Sequence, residues 1–161
     1  MIETGKLEIM SIEPLSYSPD EFTKIVRTDV EENGTQIVMI DSIGGYNLAI
    51  RKENMLERLH ALTVYLQNMG VTSLLLNEAQ EITGQFRATK MNASYLADNI
   101  LFLRYLEING QLRKSIGVLK KRLSDFEKSI REYRITPEGI KIGQPLENMR
   151  GILSGNPELT T

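Results

Sequence analysis

The sequence predicts an α/β fold: a mostly parallel sheet flanked by helices, with an antiparallel hairpin extension toward the C-terminus. Three observations carry this. Short apolar runs at 37–40 and 71–76 alternate with segments of helical periodicity. That order implies crossover connections and parallel pairing. In the second half, Asn109-Gly110 and Pro137-Glu138-Gly139 each separate two apolar stretches, the pattern of β-hairpins.

Taken in order, Leu7 to Ile12 begins as an apolar/polar alternation and stops before Pro14, so it reads as a short strand. Ser18-Pro19-Asp20-Glu21 opens a helix: a capping hydroxyl, a proline suited to the first turn, and two acids at the positive helix end. Phe22, Ile25, Val26 and Val30 continue it at helical spacing, and Asn33-Gly34 ends it. Ile37 to Ile40 reads as a fully buried strand. A long helix follows over about Arg51 to Met69, with Met55, Leu59, Leu62, Leu66 and Met69 on one face and Gly70 as terminator. Val71 to Leu76 reads as another buried strand, residues 79–94 as a loop. Two hairpins complete the chain, Ile100–Leu106 with Gln111–Leu119 and Ser129–Ile135 with Ile140–Ile142.

The 161 residues suit one domain, with 41% hydrophobic and 25% charged residues. Lack of cysteine excludes disulfide scaffolds, thiolate metal sites and cysteine nucleophiles, and the single histidine, His60, excludes a multi-histidine metal cluster. His60 itself lies off the apolar stripe and reads as a surface residue. No apolar run approaches a membrane span and no secretory leader is visible, so the expectation is a soluble, cytoplasmic protein without membrane contact.

Charge is unevenly placed. Residues 1–60 hold 11 acidic and 6 basic side chains, whereas residues 111–135 hold 3 acidic and 8 basic ones. The basic cluster is either a solvated face or a surface for phosphate-bearing partners. Lys120-Lys121-Arg122 ends a hairpin strand, where cations can hold a polyphosphate. Asp41-Ser42 ends an apolar strand, the place where open α/β sheets keep ligands and where a carboxylate can orient the water shell of Mg²⁺. A turn-forming aspartate is the commoner explanation of the same residue. No G-x-x-x-x-G-K-[ST] occurs; Gly5-Lys6 is followed by Leu7 and preceded by no glycine.

At this point the stretches IVMIDSI, SYLADNILFLRYLEINGQLRKSIGVLKKR, SDFEKSIREYRITPEGIKIGQPL and RGILSGNP, spread over residues 36–157, match a family pattern. The chain resembles the KaiC-like branch of the RecA superfamily of ATPases, and only the later part of one such domain. The resemblance implies a RecA-like sheet truncated on its N-terminal side. Residues 1–161 would be a single partial domain that runs from the Walker B strand onward, preceded by one strand and helix. It implies Asp41 as Walker B aspartate with Ser42 beside it, serving Mg²⁺. It implies Lys120 and Arg122, with Lys121 between them, as contacts to a neighbouring subunit's ATP. Lys114, Ser124 and Lys128 fall at further nucleotide contacts of the family. Phe126 stands where clock-type members carry a histidine, and Ser94-Tyr95 where they carry a phosphorylated Ser-Thr pair; Thr89 falls at another phosphoryl position.

The implied assembly is an oligomer with KaiC-like subunits, in which this chain offers its basic hairpin to a neighbour and hydrolysis needs a phosphate loop and catalytic glutamate from another polypeptide. A non-catalytic module that docks on full-length relatives is the alternative. Nucleic-acid binding ranks last, because nothing resembles a DNA-binding loop rich in aromatic or glycine residues. An incomplete sheet also leaves strand edges and an apolar face uncovered, so the chain is expected to associate or aggregate.

Overall fold

The structure is a computed structural model, and it describes residues 5–12, 16–49, 54–78, 93–153 and 157–159. Contacts divide the chain into two compact units, Met1–Glu78 and Ala79–Thr161.

The first unit holds α1 (Pro19–Asn33), β1 (Ile37–Asp41), α2 (Ile43–Ala49), α3 (Met55–Asn68) and β2 (Thr72–Leu76). The opening of α1 is the expected one. Ser18 Oγ accepts the Glu21 N–H, and the Glu21 carboxylate accepts the Ser18 N–H, a reciprocal capping box. Gly34 ends the helix in the left-handed region at φ 68°. On α3, Met55, Leu59, Leu62 and Leu66 are buried, as their spacing predicts, whereas Met69 caps the helix and is exposed. The rings of Phe22 and of Tyr46 in α2 meet in a tilted, edge-type arrangement at a centroid distance of 5.4 Å. Asp20 near the start of α1 pairs with Arg58 near the start of α3, and Glu31 near its end accepts from the Tyr65 hydroxyl at 2.8 Å. The two helices therefore run parallel, side by side.

β1 and β2 pair in parallel, Ile37 opposite Thr72 through Asp41 opposite Leu76. Only one face is covered. Val38, Ile40 and Leu75 are half-buried, while Ile37 and Met39 are each 60% exposed and Leu74 and Leu76 face solvent beside them. The expected fully buried strands are thus half-buried ones.

The second unit is dominated by a four-stranded antiparallel sheet in the order β3-β4-β5-β6: β3 (Asn99–Ile108), β4 (Gln111–Lys121), β5 (Arg131–Thr136) and β6 (Gly139–Pro145). Both expected hairpins are present. Asn109 and Gly110 turn at φ 51° and 72°, the positive pair that a two-residue hairpin loop requires. On one face Phe102, Leu106, Ser115 and Ile152 are buried. The Phe102 ring lies over Gly117, where a Cβ would meet its Cε1 at 2.5 Å. Arg104 ties this face to the C-terminal segment by donating to the carbonyl oxygens of Leu153 at 2.8 Å and Ile152 at 3.4 Å. The other face is open and apolar: Leu101, Leu103, Tyr105, Leu112, Ile135, Ile140 and Ile142 are all exposed. A short antiparallel pair, β7 (Met149–Arg150) with β8 (Glu158–Leu159), ends the unit.

These elements correct the expected fold class. The fold is α/β, but the sheet is not mostly parallel with a hairpin appended. Among the described residues the parallel sheet has two strands and the main antiparallel sheet four. Leu7 to Ile12, expected as a third strand beside them, is irregular, with Ile9 70% exposed. Alternation alone does not make a strand without a neighbour to complete its backbone hydrogen bonds. The expected loop lies almost wholly in 79–92 and, with Thr89, outside the described residues.

Candidate functional site

The expected site residues fall on both units, and each group is built by its own elements. In the first unit, β1 delivers Asp41 as its last residue, exposed, opposite Leu76. Because the pair is parallel, Asn77 and Glu78, also exposed, leave β2 at the same end. The Asp41–Ser42 peptide is cis. Ser42 starts α2: its Oγ accepts the Gly45 N–H at 3.2 Å and its carbonyl accepts the Tyr46 N–H at 2.8 Å. Asp41 and Ser42 thus present a carboxylate and a hydroxyl at one strand end. Mg²⁺ in nucleotide sites keeps several waters and takes one or two protein oxygens besides phosphate. This pair fits such a role. Among the described residues no group of three acidic, histidine or cysteine side chains gathers to hold a metal without phosphate.

In the second unit the base of the β3–β4 hairpin positions the cations. Lys120, half-buried, donates from Nζ to the Ala97 carbonyl at 2.9 Å. Arg122 pairs with the Asp98 carboxylate at 2.8 Å, and its backbone N–H donates to the Asp98 carbonyl at 3.0 Å. Lys121, between them, is exposed and sits opposite Asn99. Ser124 donates to the Asp125 carbonyl at 3.2 Å, and Lys128 pairs with the Asp125 carboxylate at 3.3 Å, both in the open segment after β4. Lys114 stands apart: six residues back along β4, on the order of 20 Å at strand rise, with its ammonium 5.9 Å from the Tyr105 ring centre. The structure therefore gathers Lys120, Lys121 and Arg122 at one strand end and leaves Lys114 elsewhere on the sheet.

The Arg122–Asp98 pair is about half exposed on both sides. Such pairs are worth little in water and exchange readily for a better anion. Asp98 and the Ala97 carbonyl are partners that the charge pattern does not single out. The signal for them was the turn: counting outward from Asn109-Gly110 brings residues 98 and 99 to the basic end of β4. An unbroken register would set Asn99 opposite Lys120. The irregularity between Ile100 and Leu101 moves it to Lys121 and brings Asp98 to Arg122.

Among the described residues no helix is long and apolar enough to cross a membrane. A family model described as "ATPase: KaiC" matches residues 2–147. A Circadian clock protein KaiC3 from Synechocystis sp. is 29% identical over 99% of this chain and 32% of its own length. Circadian clock oscillator proteins KaiC from Thermostichus vulcanus and Prochlorococcus marinus are 29% and 30% identical, each over 95% of this chain and 30% of their own length. The chain spans about a third of the length of these curated relatives.

Proposed function

The chain belongs to the KaiC family of ATPases, and from that premise we propose that it supplies part of a nucleotide site within an oligomeric, KaiC-type assembly. In this reading residues 1–161 act as the later part of one RecA-like domain. Lys120, Lys121 and Arg122 contact the phosphates of an ATP held mainly by a neighbouring subunit, with Ser124 and Lys128 beside them. Asp41, with Ser42, serves the water shell of the Mg²⁺ that accompanies such a nucleotide. The metal would screen the phosphate charge there. The phosphate loop comes from outside these 161 residues, since no such motif occurs in them.

The observation that carries the reading is the cation cluster on a rigid strand end, with Arg122 on a half-exposed carboxylate that a phosphate can outcompete. Arg suits paired contacts to phosphate oxygens, and Lys acts as a point charge. Lys114, remote on β4, has no part in this cluster.

A second reading has a specific observation in its favour. Lys120 and Arg122 already have partners in Ala97 and Asp98, so the same residues also suit a structural clasp at the hairpin base, in a module that docks on relatives without touching nucleotide. Calorimetric titration separates the two. The chain is mixed with a KaiC-family protein that carries a phosphate loop, with and without Mg-ATP. Nucleotide-dependent association, weakened roughly tenfold or more by Arg122→Ala, is the expected result. Association indifferent to nucleotide, to Arg122→Ala and to Asp41→Ala selects the docking module instead.

A further inference from the structure

The two hairpins of the second unit join over only three residues, Lys114–Ile116 of β4 against Arg131–Tyr133 of β5. Within each hairpin, by contrast, pairing runs out to the turn. One more step of the β4–β5 register would set Arg113 directly opposite Arg134. Like charges opposite one another destabilise a strand pair. Glu132 takes up both guanidinium groups, 3.2 Å from Arg113 Nη1 and 3.7 Å from Arg134 Nε. Beyond this point the strands part, and a groove of about 400 Å³ opens between them.

The groove has three properties that together describe an occupant. Its walls are two strand edges, Gln111–Arg113 and Arg134–Ile135, that do not pair with each other. Its charge is one-sided: of the side chains that line it Arg113, Lys114 and Arg134 are basic and Glu132 alone is acidic, and Arg134 is three-quarters exposed. Its two faces differ, because side chains alternate along each strand. Arg113 and Arg134 lie on one face, and the exposed Leu112 and Ile135 on the other.

We propose that this fork is a docking site for an extended, acidic segment of a partner protein, which enters as an added β-strand. Its backbone pairs with the open edges. Alternate carboxylates meet Arg113 and Arg134, and the intervening apolar side chains cover Leu112 and Ile135. Main-chain hydrogen bonds give such an addition its affinity, and alternate side-chain contacts its selectivity.

The test uses the full chain and the probe peptide Val-Glu-Val-Glu-Val-Glu, with hydrogen exchange and fluorescence anisotropy as readouts. The peptide is expected to slow amide exchange at 111–113 and 134–135. Arg134→Glu is expected to weaken binding roughly tenfold or more. Lys24→Glu, a charge reversal at an exposed position of α1 in the first unit, is the control and is expected to leave affinity within about twofold. Arg113→Gln gives a second variant should Arg134→Glu alter the fold. Equal binding of Val-Lys-Val-Lys-Val-Lys would overturn the proposal. So would equal protection by inorganic phosphate, protection confined to other segments, or indifference of the peptide to both arginine variants.

Discussion

The first unit stabilises itself through helices and the second through hairpins, and the two leave different surfaces unfinished. In the first, Leu59, Leu62 and Leu66 of α3 are almost fully buried, and the two-stranded sheet serves mainly as a floor beneath the helices. In the second, the long strands bury only Phe102, Leu106, Ser115 and Gly117 on one side and expose a row of leucines and isoleucines on the other. A helix stripe needs one good partner surface. A sheet has two faces, and covering one still leaves the second apolar. The comparison teaches that the second unit holds its shape by backbone pairing, and the first by side-chain packing.

Cavity formation should expose that difference most strongly. Leu62→Ala is expected to cost about 2–5 kcal/mol in the first unit, while Leu103→Ala, at a position 63% exposed, should stay within about 0.5 kcal/mol. Native-state hydrogen exchange, read separately on peptides from 54–69 and 99–118, measures both. Equal losses would break the comparison. Gly117→Ala sharpens it from the other side, because the added methyl collides with the Phe102 ring. Overpacking of this kind should cost about 1–3 kcal/mol, seen in the 99–118 peptides and not in the 54–69 ones.

Smaller still is the capping effect. Ser18→Ala removes one half of the capping box and should cost about 0.5–2 kcal/mol, read as faster exchange in the first turn of α1. Acid should act in the same direction. Hydrogen bonds from the Ser18 backbone and hydroxyl hold the Glu21 carboxyl below its ordinary 4.5, and those from Asn33 and Thr35 hold Asp29 below 3.8. A group whose folded pKa is depressed adds stability above its unfolded pKa and loses it as pH falls through the folded one. α1 should therefore loosen at its start as pH drops below about 4.5 and at its end below about 3.8, and a pH series of circular dichroism on the wild type and Glu21→Gln checks the first of these. A Glu21→Gln profile as steep as wild type would remove Glu21 from the account.

What the residues disclosed in advance was local. Ser18 to Glu21 announces a helix start because the cap needs only neighbours within three residues. Asn109-Gly110 announces a turn because its backbone angles are its own. The α3 stripe is legible for the same reason. Partnership across distance was not. Leu7 to Ile12 has the alternation of a strand and, among the described residues, no strand beside it. Ile37 and Met39 look like core residues and are 60% exposed, since apolar composition says nothing of which face finds a cover. At the candidate site, the strand-end cations and Asp41 were visible as residues. That Asp98 meets Arg122 depends on a single-residue shift in β3–β4 pairing, which composition and spacing do not encode.

The parallel pair carries a consequence for how the chain reaches this form. In each hairpin the first contacts join residues a few positions apart, whereas Ile37 meets Thr72 only after α2 and α3 have been spanned. Closing so wide a circuit forfeits chain entropy before any contact compensates. The β3–β4 ribbon should accordingly assemble early and the β1–β2 floor late, an order that pulse-labelled exchange during refolding would record.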